Sequence, residues 1–411
     1  GNLIELKVEQ EVSQSYITQL WNNAVFEKNK ENTIQSVTDR MSKYFTIVIL
    51  IIAAIAALYW MQTDVGKAIN VVSAILIIAC PCALALSAPF ALGNSLRIFG
   101  YHKFYLKNTQ VIEELSKLSS IVFDKTGTLT ISGKSEVNFV GASLNKQQQQ
   151  LIKSICRNSN HPLSRIIYGS ILADLVDLEA FNEQLGKGLT AVCNKEIIML
   201  GSAAFLAVNS VNDGTTVHLK IADDYLGYFK IESSKRQHLK DCLSSLKAYG
   251  LHLISGDNDV DKQEMSAYFK EENMYFNMQP SDKLNYINGL QNKSNKVMMI
   301  GDGLNDAGAL KQANVGISIS EDVNAFSPAC DGILDAEVFD KLPQFIHFSK
   351  LAMRVVYFSF GISFMYNIVG MYFAILGDLT PIFAAILMPL SSITVVAFVT
   401  LATNLLSKRV I

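Results

Sequence analysis

Four long stretches of this chain contain no charged residue, and each is near or above the length that a helix needs to cross a bilayer. They are residues 45–61, 68–96, 355–377 and 379–407, and a membrane-spanning helix takes about 20 residues. Half of all residues are hydrophobic, which argues against a purely water-soluble protein. Buried core helices of a soluble domain are the alternative, but the arrangement in two closely spaced pairs favours four membrane helices.

Basic residues lie on one side of these pairs, whereas the short connectors on the other side hold a single one, Lys67. Because positively charged loops stay in the cytoplasm, we expect both chain ends and the long middle segment to be cytoplasmic. The formal net charge of −2 gives no indication of a nucleic-acid partner. The flanking basic residues are Arg40, Lys43, Arg97, Lys103, Lys107, Lys350, Arg354, Lys408 and Arg409.

The middle segment, residues 100–350, has the pattern of a soluble α/β domain. Short apolar stretches (SSIVF, LHLIS, KVMMI and VGISI) alternate with polar stretches typical of helices, which predicts a parallel sheet with helical crossovers. Residues 131–235 interrupt this alternation. We expect an inserted domain there, with helices near 145–178 followed by short strands in TAVCN, EIIMLG, TVHLKI and GYFKIE.

Two predicted strands end in residues suited to phosphoryl chemistry. The strand SSIVF leads into DKTGTLT, where Asp124 can act as a nucleophile on a phosphoryl group and form an aspartyl-phosphate. Lys125 and the amides of the following turn can offset the charge. The strand LHLIS leads into SGDN, in which the hydroxyl of Ser255 can hold a phosphate oxygen.

Two further motifs complete this set of groups. Lys283, in QPSDK, supplies a cation, and the strand KVMMI leads into GDGLND, which carries Asp302 and Asp306. Carboxylates of this kind, together with phosphate oxygens, are the ligands that Mg²⁺ prefers. A single Asp beside a Gly is a weak signal, and GDGLND by itself fits a surface turn. The combination predicts phosphoryl transfer, which depends mainly on positioning and charge neutralisation.

These motifs resemble the phosphorylation, hinge and metal motifs of P-type ATPases, and Cys80-Pro81-Cys82 resembles the trio of their heavy-metal class. The resemblance implies a haloacid-dehalogenase-like Rossmannoid phosphorylation domain, an inserted α+β nucleotide-binding domain and four membrane helices. It also implies ATP and Mg²⁺ as cofactors, with Asp124, Asp302 and Asp306 at the Mg²⁺. The catalytic residues that it implies are Asp124, Lys125, Thr126, Ser255, Gly256, Asp257, Lys283 and Asn305.

The cysteine trio lies inside the second apolar stretch, where a thiol gains little by itself. Pro81 removes a backbone hydrogen bond and unwinds the helix locally, so the thiolates of Cys80 and Cys82 can turn toward one ion. Soft sulfur ligands select soft ions such as Cu⁺. The alternative is two small buried residues that pack at a kink.

The last two apolar stretches contain neutral residues that suit a monovalent ion better than Zn²⁺, which favours a carboxylate. Tyr366 and Asn367, followed by Met388 and Ser392 in MPLSS, resemble the Tyr-Asn and Met-x-x-Ser-Ser signatures of the copper(I) subgroup. Met388 also suits core packing, and Ser391 a bond between helices. The resemblance implies export of Cu⁺, and of Ag⁺ with it. A zinc-, cadmium- or lead-type P-type ATPase, a membrane-anchored phosphatase of the same superfamily and a non-catalytic metal-binding protein remain alternatives.

The inserted domain carries two further resemblances to the family, both of which imply ATP binding. His161 and Pro162 in NSNHPLS match its Ser-x-His-Pro motif, and Gly186 and Gly188 in LGKGL match its Gly-x-Gly. A lone histidine or Gly-x-Gly is a weak signal; their order and spacing strengthen both. Many copper members have a glutamate five residues before the histidine and another immediately before it. Here these positions hold Cys156 and Asn160.

Members of the class also have an actuator domain with a Thr-Gly-Glu motif, which this sequence lacks. Residues 1–26 resemble the end of that domain, so we expect a C-terminal fragment that turns over poorly alone. The expected partners are the upstream actuator half, a cytosolic copper chaperone and the bilayer, most simply the bacterial inner membrane. The predicted segments are 1–40 (actuator tail and linker), 41–98 (membrane pair with the trio), 99–130 with 236–348 (phosphorylation domain), 131–235 (nucleotide-binding domain) and 349–411 (membrane pair).

Overall fold

In a computed structural model of the chain, the described residues form two compact units. The first contains the described residues up to Asp124 together with His238–Ile254 and Met278–Ile411, and the second contains Lys125–Gln237 and Ser255–Asn277. The described residues are 33–79, 82–184, 186–209, 214–303, 306–321 and 330–411. Most of the segment predicted as actuator tail, residues 1–32, therefore lies outside them.

The secondary structure alternates between helices and strands through most of the chain. The strands are β1 Phe104–Leu106, β2 Ser120–Asp124, β3 Thr130–Gly141, β4 Ala180–Gln184, β5 Gly188–Cys193, β6 Glu196–Gly201, β7 Thr215–Ile221, β8 Asp224–Lys235, β9 Gly250–Ile254, β10 Met274–Tyr275, β11 Val297–Gly301, β12 Val315–Ser320 and β13 Gly332–Asp335. The helices are α1 Thr33–Met61, α2 Val65–Ile78, α3 Cys82–Tyr101, α4 Thr109–Ser116, α5 Lys146–Arg157, α6 Pro162–Ser170, α7 Leu239–Ser245, α8 Lys262–Met265, α9 Pro280–Asn292, α10 Ala307–Gln312, α11 Leu342–Leu376 and α12 Pro381–Val410.

The sheet of the first unit is the predicted parallel sheet. Its strands pair in the order β1-β13-β12-β11-β2-β9, and only the edge strand β1 is antiparallel to its neighbour. All residues of β2, β11 and β12 are buried, as expected for strands covered on both faces. The strands predicted from SSIVF, LHLIS, KVMMI and VGISI are thus confirmed as β2, β9, β11 and β12.

Three of the four predicted membrane spans are confirmed by length and composition. The helical segments Val65–Tyr101, Ala336–Leu376 and Pro381–Val410 are each long and apolar enough to cross a membrane. The first predicted span, residues 45–61, lies within α1, and its described apolar segment runs from Ile47 to Met61. That apolar part belongs to the same buried cluster as α2, and its outer face is exposed.

The second apolar stretch forms two helices. Helix α2 ends at Ile78 and α3 begins at Cys82, and both Cys80 and Pro81 lie outside the described residues. Asp64 caps the first turn of α2 by accepting hydrogen bonds from the amides of Gly66 and Lys67. Helix α3 packs against both α11 and α12, so these three helices belong to one bundle.

The second unit has a six-stranded antiparallel sheet in the order β3-β8-β7-β6-β5-β4. Helices α5 and α6 pack on this sheet and close a hydrophobic core that includes Ile155, Cys156 and Leu219. Strands β5 to β8 confirm the four strands predicted here. Strands β3 and β4 were not predicted, and the predicted helical region extends too far, since α6 ends at Ser170.

Candidate functional site

Asp124 is the last residue of β2 and lies between two parallel neighbours. It pairs with Ile254 of β9, and the preceding residue Phe123 pairs with Ile300 of β11. The carboxyl ends of these strands therefore meet at one edge of the sheet, where folds of this kind place ligands. Although it lies at a strand end, Asp124 is only 4% exposed.

Lys283 joins Asp124 to the second acidic motif. Its Nζ donates to Oδ1 of Asp124 at 2.6 Å and to Oδ1 of Asp306 at 2.8 Å. Lys283 stands in the first turn of α9, and all three side chains are buried. The structure thus brings together three residues from three separate motifs, as the sequence predicts. We call Asp124, Lys283 and Asp306 the buried triad.

Burial and the proximity of two carboxylates make the fully ionised form of this triad unfavourable. Burial, followed by the nearby charge of Asp306, raises the pKa of Asp124 to about 7, and Lys283 opposes the rise. Burial also raises the pKa of Asp306, again against the effect of Lys283. Burial by itself would lower the pKa of Lys283, but the two carboxylates outweigh it and raise that pKa. Two buried carboxylates thus share one cation, and a second cation would relieve the remaining charge.

Asp306 carries the strongest sign of a cation site. Its Oδ2 is buried and accepts no hydrogen bond from the described residues, and a Cβ added at Gly301 would stand 2.6 Å from that atom. Its position and chemistry suit a Mg²⁺ ligand. Among the described residues, no three His, Cys, Asp or Glu side chains are arranged around one point, and the ammonium of Lys283 bonds both Asp124 and Asp306. The trio of Asp124, Asp302 and Asp306 therefore stays a prediction.

Asn305 lies outside the described residues. Asp302 is half-buried at the end of β11, and its carbonyl oxygen accepts a hydrogen bond from Ser318 Oγ at 3.2 Å.

In the second unit, Lys125 is held by two carboxylates. Its Nζ lies 3.0 Å from Oδ2 of Asp257 and 2.8 Å from Oδ2 of Asp261. Burial would lower the pKa of Lys125, but Asp261 and Asp257 outweigh it and raise that pKa. Thr126 is exposed and donates to Asp257 Oδ2 at 2.6 Å. Lys125 and Thr126 are thereby tied to the segment that contains SGDN by hydrogen bonds within the second unit.

The predicted hinge motif SGDN begins with a buried serine and continues into exposed residues. Ser255 is fully buried, and its Oγ accepts the amide hydrogen of Asp257 at 3.1 Å. Gly256 and Asp257 are exposed, and the amide of Asn277 donates to the carbonyl oxygen of Asp257 at 2.8 Å. The Ser255 hydroxyl in this arrangement shapes the turn.

Two residues beside these motifs were missed by the sequence analysis. Arg236 is buried and donates to the carbonyl oxygens of Thr128 at 2.6 Å and Gly127 at 2.9 Å, so it fixes the turn after the predicted nucleophile. No local motif marks it. Asp261, the second partner of Lys125, could have been suspected from the acidic run that follows SGDN.

The predicted nucleotide residues lie at a helix start and in a hairpin. His161 caps α6, its Nδ1 accepting the amide hydrogen of Leu163 at 3.3 Å, and Pro162 is the first residue of that helix. Gly186 (φ +73°) and Gly188 lie at the turn between β4 and β5. A Cβ at Gly186 would meet no described atom within 4 Å, so this residue leaves open space beside the turn.

Gly188 faces the protein. A Cβ there would lie 2.7 Å from the ring of Phe205 and 2.8 Å from the Cα of Gly201, its partner across the sheet. The resemblance to the family explains this glycine by the close approach of a nucleotide. In the structure, the close packing of Gly188 against β6 is already a sufficient reason for a glycine here.

Of the predicted metal ligands in the membrane helices, Cys80 lies outside the described residues. Cys82 is half-buried at the start of α3. Tyr366 is 41% exposed, and it lines a groove of about 580 Å³ on the outer side of α11. Asn367 is half-buried on the same helix.

Met388 and Ser392 lie one turn apart on α12, and both are half-buried. The hydroxyls of Ser391 and Ser392 donate to the carbonyl oxygen of Met388 at 2.8 and 3.4 Å. Such back-bonding satisfies a hydroxyl inside a membrane. The ligand role of these residues stays a prediction.

Comparison with known proteins supports the predicted resemblance. Residues 118–314 match the family model of haloacid dehalogenase-like hydrolases. A copper-exporting P-type ATPase of Staphylococcus haemolyticus is 27% identical over 89% of this chain and 48% of its own length. The "Probable copper-importing P-type ATPase A" of Enterococcus hirae is 27% identical over 96% of this chain and 57% of its own length. The chain thus spans about half the length of the curated relatives it matches.

Solved structures support the fold. One crystal structure of a zinc-transporting PIB-type ATPase matches 94% of this chain and 66% of its own chain with a TM-score of 0.78 at 23% identity. A second crystal structure of a zinc-transporting PIB-type ATPase, in another state, matches 92% of this chain with a TM-score of 0.67. The predicted combination of a haloacid-dehalogenase-like domain, an inserted domain and membrane helices is therefore confirmed, and the chain is similar to copper P-type ATPases over most of its length.

Proposed function

We propose that this chain carries out ATP-driven transport of a soft monovalent metal ion, Cu⁺ or Ag⁺, out of the cytoplasm through an aspartyl-phosphate at Asp124. The observation that carries the proposal is the buried triad, in which Lys283 bridges Asp124 and Asp306. Burying ionisable groups costs free energy, and groups with pKa values perturbed in this way are concentrated at functional sites. The similarity to copper P-type ATPases supports the same assignment.

In the proposed step, a carboxylate oxygen of Asp124 forms a bond to the γ-phosphorus of ATP. The bond from that phosphorus to the β,γ-bridging oxygen breaks, and ADP leaves with the bonding electron pair. Lys283 orients the nucleophile and balances its charge. Mg²⁺, for which Asp124, Asp302 and Asp306 are the proposed ligands, would supply further charge neutralisation at the phosphates.

The metal path is proposed to pass the cysteine trio. Cys82 begins α3 within a membrane bundle, and an ionisable side chain inside a membrane is by default a functional-site hypothesis. The thiolates of Cys80 and Cys82 would provide soft ligands that favour Cu⁺. The proposed neutral partners are Tyr366, Asn367, Met388 and Ser392.

The location and the partners belong to the same proposal. The membrane helices point to a multi-pass protein of a cell membrane, which we propose is the bacterial inner membrane, with the parallel sheet of the first unit and the whole second unit on the cytoplasmic side. A cytosolic copper chaperone would deliver the ion. A domain with Thr-Gly-Glu would direct water onto the aspartyl-phosphate, so the chain alone is expected to accumulate phosphoenzyme and turn over slowly.

The test is a phosphoenzyme assay on the full chain in detergent under reducing conditions, with γ-³²P-labelled ATP, Mg²⁺ and Cu⁺. We expect the protein to acquire an acid-stable, hydroxylamine-sensitive label. Asp124→Asn should abolish this label, and in Cys82→Ser the amount of label should no longer depend on Cu⁺. The assay is repeated with Zn²⁺ in place of Cu⁺, and labelling that depends on Zn²⁺ but not on Cu⁺ would favour a zinc-type ATPase. Absence of label from the wild-type protein would refute the proposal, and rapid release of phosphate from simple phosphate esters would favour the phosphatase.

A further inference from the structure

Two side-chain amides hold an arginine between the membrane helices α3 and α12. Arg97 on α3 donates through Nε and Nη2 to Oδ1 of Asn94, at 3.2 and 3.1 Å, and through Nη2 to Oδ1 of Asn404 on α12, at 3.2 Å. Nδ2 of Asn94 donates to Oδ1 of Asn404 at 3.1 Å and to the hydroxyl of the buried Thr403 at 2.7 Å. We call Asn94, Arg97 and Asn404 the arginine network.

These hydrogen bonds use the acceptors of the arginine network and leave donors. Each amide oxygen accepts two hydrogen bonds and therefore has no lone pair left. On Arg97, both hydrogens of Nη2 are used, whereas the two on Nη1 remain. The two hydrogens on Nδ2 of Asn404 also remain, since that nitrogen donates to no described residue. Donors beside a positive charge suit an anion.

The charge of Arg97 has no carboxylate partner among the described residues. All three hydrogen bonds of its guanidinium go to neutral amides, and the side chain is exposed. A second exposed cation, Lys408, follows Asn404 by one helical turn and so lies on the same face of α12. Because the amides already fix the guanidinium, an anion that binds it loses little affinity to ordering of the side chain.

The arginine network lies at the depth of lipid headgroups. From Pro381, where α12 begins, to Asn404 the helix rises about 35 Å. The hydrocarbon core of a bilayer is about 30 Å thick, and the headgroup regions extend it to about 40–45 Å. With the start of α12 at one surface of the core, Asn404 reaches the headgroups of the opposite leaflet. Helix α3 leads from there into β1, so this leaflet is on the side of the parallel sheet.

We propose that the arginine network binds the phosphate group of an anionic membrane lipid, with Nη1 of Arg97 and Nδ2 of Asn404 as donors. A guanidinium suits phosphate oxygens in charge and geometry, and basic sites between membrane helices bind lipid headgroups. A lipid there would join α3, which carries Cys82, to α12, which carries Met388. The inference goes beyond the proposed function and uses only the membrane location of the helices, so it does not depend on the ion or on phosphorylation.

Three variants separate this site from a general attraction of anionic lipids to basic helix ends. Arg97→Gln removes the charge. Asn404→Leu keeps the charge but removes one amide partner of the guanidinium and the Nδ2 donor. Arg354→Gln is the matched control, because Arg354 is exposed and lies about 33 Å from the end of α11 at Leu376. It therefore removes a charge at a similar depth but outside the arginine network.

Dissociation constants for phosphatidylglycerol, which is anionic, and phosphatidylcholine, which is zwitterionic, are measured by native mass spectrometry of the full chain in detergent. We expect the wild type to bind phosphatidylglycerol at least tenfold more tightly than phosphatidylcholine. Arg97→Gln should weaken phosphatidylglycerol binding about tenfold and Asn404→Leu about fivefold, whereas Arg354→Gln should match the wild type.

A wild type that binds both lipids equally would overturn the inference, whatever the variants do. Equal weakening in Arg97→Gln and Arg354→Gln would overturn it as well, because the attraction would then be a general one. Inorganic phosphate separates a lipid from a free anion as the ligand. An excess of it should not displace phosphatidylglycerol, since it has no acyl chains to hold it at the helix surface. Displacement that is lost in Arg97→Gln would assign the site to free phosphate instead of lipid.

Discussion

Asp124→Asn is expected to abolish phosphorylation and at the same time to stabilise the fold at alkaline pH. In the buried triad, the pKa of Asp124 is raised from 3.8 to about 7. Between these two values the folded protein keeps a proton on Asp124 that the unfolded chain releases, so raising the pH through this window removes stability. Asparagine cannot ionise, and the variant avoids that loss.

The magnitude follows from the pKa difference. A rise of roughly three units corresponds to about 4 kcal/mol of free energy of unfolding above pH 7. That pKa already includes the attraction of Lys283, whose Nζ is 2.6 Å from Asp124. A gain of about 4 kcal/mol corresponds to roughly 8–16 °C in Tm for a domain of 150–250 residues.

The assay is thermal unfolding of the full chain in detergent with EDTA, at intervals from pH 4.5 to 8. The Tm of the variant should exceed that of the wild type by an amount that grows with pH. Asp241→Asn, at a side chain that is 83% exposed, is the matched control and should show no such trend. A variant that is less stable at pH 8, or a difference that does not change with pH, would show that the triad is not strained and that the pKa argument is wrong.

Three further predictions follow from the described residues. Gly301→Ala should lower Asp124 labelling at least tenfold at limiting Mg²⁺, because its Cβ displaces Asp306; Gly289→Ala, which meets no described atom, should leave labelling unchanged. Burial, and then Lys293, lower the pKa of His252, so the unfolded chain binds a proton there first as the pH drops below about 6.5. Because Asp124 acts in the opposite direction, the measured quantity is the Tm of the wild type minus that of His252→Gln, and it should fall as the pH drops through this range. The thiol of Cys242, whose pKa burial raises to about 12, should resist maleimide at pH 7.5 until denaturant is added, and labelling of the native chain at the unfolded rate would contradict this.

The sequence predicts those parts of the fold in which the local pattern and the final environment agree. Strands β2, β11 and β12 are rich in apolar residues and buried at every position, as expected for strands covered on both faces. Since parallel strands end at a common edge, their motifs had to meet, and the bridge from Lys283 to Asp124 and Asp306 is the result.

Strands β3 and β4 could not be recognised in this way because their stability is non-local. β3 contains Gly133 and several polar residues, and it becomes a strand by pairing with β8, about 90 residues later. β4 is the short segment AFNEQ at the sheet edge, and it is held by β5. Contacts such as Arg236 to Gly127 link residues 109 positions apart, and no local pattern reports them.

The two glycines of LGKGL show how one motif can contain two different physical requirements. Gly186 has a positive φ and borders open space, which is what a turn beside a ligand needs. Gly188 instead allows Phe205 and Gly201 to pack closely against it, so the reason for a glycine at this position is the packing of the sheet. If nucleotide contact were the reason for both, alanine at either position should weaken ATP binding with little effect on Tm. We predict instead that Gly188→Ala lowers Tm, and that any loss of ATP affinity in this variant results from disruption of the hairpin formed by β4 and β5.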